Sequence, residues 1–209
     1  MNVLAVILAR AGSTGLPNKH LIPLLGRAVI SYTFDHAQSA TTLSRTVVSS
    51  DCRHVRALAS RAGFPTIERP WDLATAEASV QDVMLHALES IERGSGGVQA
   101  DALVVLYGNV PVRPDGVIDR AVSHLFETRC DSVRTFCPVG KWHPAWMSKL
   151  EGDRVVPVQP NSIHRRQDLT KLYLHDGAAV YAEEGVRVVW HQFAAEHAGA
   201  GDGDDGTVV

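Results

Sequence analysis

The chain has 209 residues, 45% hydrophobic and 21% charged, with a formal net charge of −3. That length accommodates one α/β domain with a sizeable core, and the slight negative charge argues against nucleic acid or an anionic membrane as the main partner. Cys52, Cys130 and Cys137 show no C-x-x-C spacing. This speaks against a zinc site or disulfide framework and fits a reducing, cytoplasmic compartment. No cationic region precedes a long apolar segment, so neither a signal peptide nor a membrane span is expected.

In chain order, the apolar run Val3 to Leu8 reads as a buried strand. It ends in a small-residue loop, Ala9-Arg10-Ala11-Gly12-Ser13-Thr14-Gly15-Leu16-Pro17-Asn18-Lys19. That loop leaves the carboxyl end of the strand, where open α/β sheets place their ligands. Small residues let backbone N–H groups approach a polyphosphate, and Arg10 and Lys19 supply charge for it. The loop is neither a P-loop nor the dinucleotide fingerprint, because it has no Gly-Lys-Ser/Thr and no G-x-G-x-x-G.

Ala28 to Gln38 predicts a helix burying Ile30, Phe34 and Ala37, and Thr46 to Ser49 a short strand. Arg53 to Ala62 predicts a helix with Val55, Leu58, Ala59 and Ala62 on one face, and Pro65 to Ile67 another strand. In Ser79 to Glu92, Val80, Val83, Met84, Ala87, Leu88 and Ile91 form a continuous stripe, with Ser79 and Asp82 spaced as a capping-box variant. Gly94-Ser-Gly-Gly97 stops this helix; Ala102 to Leu106 is the next buried strand, Asp115 to Phe126 a helix and Ser132 to Phe136 a strand. The alternation implies a single doubly wound, mostly parallel sheet. Trp146 to Pro157 then reads as a hairpin turning at Glu151-Gly152-Asp153. The residues beyond His197 are rich in Ala, Gly and Asp, a composition expected to be disordered.

Ala9-Arg10-x-x-Ser13 followed by Leu16-Pro17-x-Lys19 resembles the signature loop of the cytidylyltransferases that activate acidic sugars. These include the acylneuraminate and 3-deoxy-manno-octulosonate enzymes, which share the nucleotide-diphospho-sugar transferase fold. Val47-Val48-Ser49-Ser50-Asp51 is similar to the family's second strand, Glu68-Arg69-Pro70-Trp71-Asp72-Leu73-Ala74 to its R-P-x-x-L-A segment, and His86-Ala87-Leu88-Glu89 to the helix that follows. Leu106-Tyr107-Gly108-Asn109-Val110-Pro111-Val112-Arg113 stands where the family has L-Q-P-T-S-P-L-R. Arg166-Gln167-Asp168-Leu169 and Asp176-Gly177-Ala178 resemble R-Q-x-L and N-G-A.

The resemblance implies transfer of CMP from CTP to a hydroxyl of an acidic sugar or similar small acid, with Mg²⁺ as cofactor and pyrophosphate as product. It implies that Arg10 and Lys19 act on the triphosphate beside Gly12 and Ser13, and that Leu8 and Ala9 read the cytosine edge through backbone groups. Arg69, Ser79 and Asn109 complete the implied nucleotide set, although Arg69 also reads as a surface ion-pair residue and Ser79 as a helix cap. Tyr107, Arg166 and Asp176 are implied to face the acceptor; a guanidinium suits its carboxylate. The implied layout is a domain over residues 1–197 with a tail over 198–209. Within that domain, residues 137–176 form an extension that exchanges with a second subunit to make a homodimer. Trp142, Trp146 and Met147 supply an apolar motive for that exchange.

Three departures stand out. Thr14 and Gly15 occupy the positions where the sialate type has a lysine directly after the serine and the octulosonate type has an arginine two positions after it. Tyr107 replaces the usual Gln, and Asn109 stands in place of a metal-binding aspartate of the octulosonate type. The family ends in a strand, for which Val186 to Trp190 is the counterpart, an Asp-x-Asp-Thr-like metal site and a closing helix. Here the nearest carboxylates are Asp202 and Asp204, with Asp205 beside them. Two classes therefore stay open: an active CMP-transferring enzyme with an unusual acceptor, and a weak or inactive nucleotide-binding homologue acting as a binding module.

Overall fold

A computed structural model describes residues 1–12, 15–95, 100–160 and 162–175, and the strand at 181–184. In chain order its elements are β1 (Val3–Leu8), a small hairpin of β2 (Pro23–Leu24) and β3 (Arg27–Ala28), α1 (Val29–Ser39), β4 (Arg45–Ser50), α2 (Arg53–Arg61) and β5 (Thr66–Glu68). Then come α3 (Val80–Ser95), β6 (Ala102–Tyr107), α4 (Val117–Thr128), β7 (Ser132–Arg134), β8 (Phe136–Pro138), β9 (Ser148–Glu151), β10 (Arg154–Pro157), β11 (Tyr173–His175) and β12 (Tyr181–Glu184). No helix among the described residues is long and apolar enough to cross a membrane.

All six residues of β1 are buried, as suits a central strand covered on both faces. The main sheet runs β5-β4-β1-β6-β12-β7. Its first four strands are mutually parallel, and β12 runs antiparallel to both its neighbours. Successive strand residues point to opposite faces, and β1 divides the core accordingly. Val3, Ala5 and Ile7 pack with Ile30 and Phe34 of α1, Val55 and Ala59 of α2, and Ile118, Val122 and Leu125 of α4. Leu4, Val6 and Leu8 pack with Val83, Met84, Ala87, Leu88 and Ile91 of α3. The predicted stripes of α1 and α3 are thus core faces, with one exception: Val80 is partly exposed at the start of α3.

The strand expected from Ser132 to Phe136 divides at Thr135. β7 closes the main sheet, whereas β8 pairs with β11 and belongs to a second unit spanning residues 136–176. Within that unit β9 and β10 pair antiparallel as predicted, and Gly152 takes the left-handed conformation their turn requires (φ +61°). His143 is buried there; its Nδ1 accepts from the Ala145 N–H, and its Nε2 lies 3.1 Å from the Thr170 carbonyl. That pairing fixes the neutral tautomer with the proton on Nε2. The sequence's candidate final strand, Val186 to Trp190, lies outside the described residues.

Candidate functional site

Three parallel strands end level with one another: Leu8 of β1 stands opposite Ser49 of β4 and Tyr107 of β6. The pairing continues one step into the loops. The Ala9 N–H donates to the Ser49 carbonyl at 3.2 Å, and the Gly108 N–H donates to the Leu8 carbonyl at 3.0 Å. The Ala9 N–H and one lone pair of the Leu8 carbonyl therefore serve the sheet, which narrows the base-reading groups implied by the sequence. Ala9 is buried, while Leu8 lines the cleft above the strand ends.

That cleft has a volume of about 230 Å³. Leu8, Leu73, Val80 and Val83 give it apolar walls, and Arg10, Lys19 and Arg69 give it three cations; no Asp or Glu is among its lining residues. Arg10 Nη1 donates to the Thr75 carbonyl at 2.6 Å, joining the first loop to the segment that leads into α3. Lys19 is half-buried. Arg69, placed by the end of β5, is 6% exposed, and its guanidinium donates to Ser49 Oγ (3.2 Å) and the Ser49 carbonyl (2.9 Å). Burial lowers its pKa to about 10, with Arg10 pushing the same way against the attraction of Asp51. It remains charged at neutral pH, so the surface-pair reading of Arg69 is replaced by a buried, fixed cation.

Tyr107 and Asn109 also line the cleft. Burial raises the Tyr107 phenol above its ordinary value, against the opposing influence of Arg134. Gly12 is exposed and contributes nothing to the lining. Ser79 caps α3: its hydroxyl donates to Asp82 Oδ2 at 2.7 Å and accepts the Asp82 N–H at 3.0 Å. Its neighbours Ala78 and Val80 face the cleft instead, so the nucleotide contact expected of Ser79 gives way to the cap. Arg166 lies in the second unit, where it lines a groove of about 540 Å³ with His143, Gln167 and Lys171. The adjacent Arg165 is paired with Asp168 at 2.7 Å. Ser13, Asp176, Asp202 and Asp204 lie outside the described residues.

Sequence reasoning missed three residues that build this site. His20 is 3% exposed and lines the cleft. Asp51 accepts the Ala11 N–H at 2.9 Å through Oδ1. Arg113, also buried, donates to the carbonyls of Tyr107 and Val110 and to Thr33 Oγ1, holding the loop after β6 against α1. The available signal for Asp51 was a carboxylate directly after a buried strand; His20 and Arg113 carried none.

An apolar wall beside three converging cations suits a ligand with a flat heterocycle and several negative charges. Residues 4–200 match the profile of a family described as cytidylyltransferase, and the chain belongs to that family. It is 30% identical over 182 residues to an N-acylneuraminate cytidylyltransferase of Streptococcus agalactiae, covering 85% of this chain and 42% of that protein. It is 27% identical over 185 residues to a pseudaminic acid cytidylyltransferase of Campylobacter jejuni, covering 87% of this chain and 78% of that one. The solved structure of a CMP:2-keto-3-deoxy-manno-octonic acid synthetase complexed with CTP shares the fold. Its TM-score is 0.63 at 19% identity, over 88% of this chain and 74% of that one. The chain thus spans less than half the length of the N-acylneuraminate relative it matches.

Proposed function

We propose that the protein transfers CMP from CTP to a hydroxyl of a 2-keto sugar acid or similar small acid and releases pyrophosphate. The observation that carries this reading is the convergence of Arg10, Lys19 and Arg69 on one apolar-walled cleft without a lining carboxylate. In the reaction the acceptor oxygen forms a bond to the α-phosphorus. The bond from that phosphorus to the oxygen bridging toward the β-phosphorus breaks, and pyrophosphate carries the electron pair away. Such a transfer needs alignment and charge neutralisation more than covalent help. Arg10 and Lys19 neutralise the triphosphate, Arg69 and the backbone around Leu8 hold the base, and Tyr107, Asn109 and Arg166 are assigned to the acceptor side.

The cleft's side-chain oxygens come from Thr75, Tyr107 and Asn109, and no group of three or more His, Cys, Asp or Glu among the described residues is placed to hold a metal. Three neutral oxygens do not fit a protein-held Mg²⁺ site, which draws on carboxylates, so no step here is assigned to Mg²⁺.

The second unit is the proposed homodimer contact. It leaves Trp142 67% exposed, with Leu150, Val155 and Leu174 exposed as well, and interface cores favour such side chains. The three cysteines are free, and the proposed location is the cytoplasm. The test of the activity is pyrophosphate release with CTP, UTP or ATP, each with Mg²⁺ and a panel of 2-keto sugar acids. Turnover with CTP and one of these acids supports the reading. Binding of CTP without turnover on any of them favours the binding-module class, and equal thermal stabilisation by all three nucleotides overturns the assignment to CTP.

A further inference from the structure

The peptide bond between Arg10 and Ala11 is gripped at both ends by side chains from elsewhere in the chain. On one side the Ala11 N–H donates to Asp51 Oδ1 at 2.9 Å. On the other, the His20 imidazole hydrogen-bonds the Arg10 backbone, where the carbonyl is the group able to accept from a ring N–H. Asp51 follows β4 and His20 precedes β2, so two separate loops converge on a single peptide plane. We propose that His20 and Asp51 are positioning residues which clamp the Arg10–Ala11 peptide and so fix the direction in which Arg10 leaves β1 toward the triphosphate.

A peptide plane in a loop turns readily about the dihedrals on either side, and turning this one exchanges the directions of the Arg10 carbonyl and the Ala11 N–H. With both ends held, the carbonyl faces the buried imidazole and the N–H faces the carboxylate. The Arg10 side chain then departs from a fixed Cα frame, and its Nη1 meets the Thr75 carbonyl across the cleft at 2.6 Å. The clamp also accounts for Gly108. A Cβ at that position would lie 3.2 Å from His20 Cδ2 and 3.2 Å from two side-chain carbons of Ile30. That spacing is tighter than ordinary carbon contact, so a residue without a side chain lets the imidazole occupy its place.

This inference rests on the transfer reading only for its catalytic consequence; the clamp itself is testable without nucleotide. In protein labelled with ¹⁵N-alanine, the exchange rate of the Ala11 amide reports the grip. His20→Phe keeps a ring but removes the donor, and Asp51→Ala removes the acceptor. Each is expected to speed Ala11 exchange at least ~10-fold, as local opening becomes easier. In CTP turnover, each is expected to lower kcat by roughly 10- to 100-fold, the scale of a misplaced catalytic group, with KM for CTP changed by less than about threefold. Asp51→Asn retains an oxygen acceptor, and His20→Asn and His20→Gln supply amide donors at the reach of the two ring nitrogens. Recovery is expected in Asp51→Asn and in one of the two His20 amide variants. Gly108→Ala, which crowds the ring, should reproduce the His20→Phe effect without touching either clamp residue. If His20→Phe fails to fold, the Asp51 pair and Gly108→Ala provide the same comparison. Unchanged Ala11 exchange, or a loss confined to KM, overturns the clamp. Wild-type protein without CTP turnover counts against the transfer reading instead, and amide exchange still decides the clamp.

Discussion

Acidification should destabilise this protein through His20 before it titrates most carboxylates. The ring is buried, and its pKa falls from 6.5 to about 4. Burial is the main cause, followed by Lys19; Arg69 lowers it further, while the Arg10 backbone bond and Asp51 oppose the shift. Between those two pKa values the unfolded chain binds a proton that the folded protein refuses. Stability therefore rises with pH through this window and is lost as pH falls below about 6.5. At pH 5 the loss from this residue is about 2 kcal/mol relative to neutral pH, and by pH 4 about 3 kcal/mol. His36 shifts in the same direction, through its own burial and then Arg113, so the wild-type profile alone does not isolate His20. His20→Gln does not titrate and separates the two. Urea unfolding of both proteins at pH 7.5, 6 and 5 should give wild-type stability falling more steeply by about 1.4 kcal/mol per pH unit across the lower part of this range. Parallel profiles for the two proteins, or an NMR titration placing the His20 midpoint near 6.5, would refute the reasoning.

The features legible in the sequence share one property: their signal is local. Val3 to Leu8 is continuous and apolar, and the spacing in α3 repeats over several turns, so burial on each is readable from neighbours alone. The Arg10–Lys19 loop was legible for a similar reason, as a compositional break at a strand end. The β2–β3 hairpin was not. Each of its strands has two residues, too few for a period, and its turn places Leu25 as well as Gly26 at positive φ. Leucine there gives none of the usual turn chemistry. β12 was hidden because Tyr-Ala-Glu-Glu lacks the apolar alternation of a strand; its place beside β6 depends on partners distant in sequence.

The site residues divide along the same line. Arg10 and Lys19 were found because cations in a small-residue loop are conspicuous. His20 sits next to Lys19 in sequence, yet its burial depends on the space left by Gly108, which no local pattern reports. Arg113 came into view only as part of a family motif; its role in tying the Tyr107 and Val110 carbonyls to α1 follows from the folded loop. Ser79 shows the reverse case. The Ser-x-x-Asp spacing identified its cap correctly from local geometry, and the hydroxyl engaged there is the same one the family pattern assigned to nucleotide.

Arg10→Ala and Lys19→Ala should each lower kcat/KM for CTP by ~10²-fold or more, the scale of losing one preorganised electrostatic group; wild-type rates in steady-state pyrophosphate assays would reduce the loop to a turn. Light scattering should give twice the chain mass, and Trp142→Ala should weaken the association; a monomer at high concentration would remove the second unit as a dimer contact. Trp142 is the better probe than Trp146, whose Nε1 is engaged with the Ile163 carbonyl at 3.0 Å. The sharpest stability test is Arg69→Lys. The guanidinium reaches both Ser49 Oγ and the Ser49 carbonyl from one rigid fork, whereas an ammonium is a single point charge on a flexible stem. The Ser49 carbonyl keeps the Ala9 N–H as a partner, so the bond most exposed to loss is the one to Oγ. Losing one charged hydrogen bond at this buried position costs about 2 kcal/mol, which for a chain of this size lowers Tm by roughly 4–8 °C. If Arg69 also holds the base, CTP should stabilise the Lys variant less than it stabilises wild type. A Lys variant with unchanged Tm and an unchanged CTP-induced shift would mean that Arg69 supplies charge alone and that its fork does not order the strand ends.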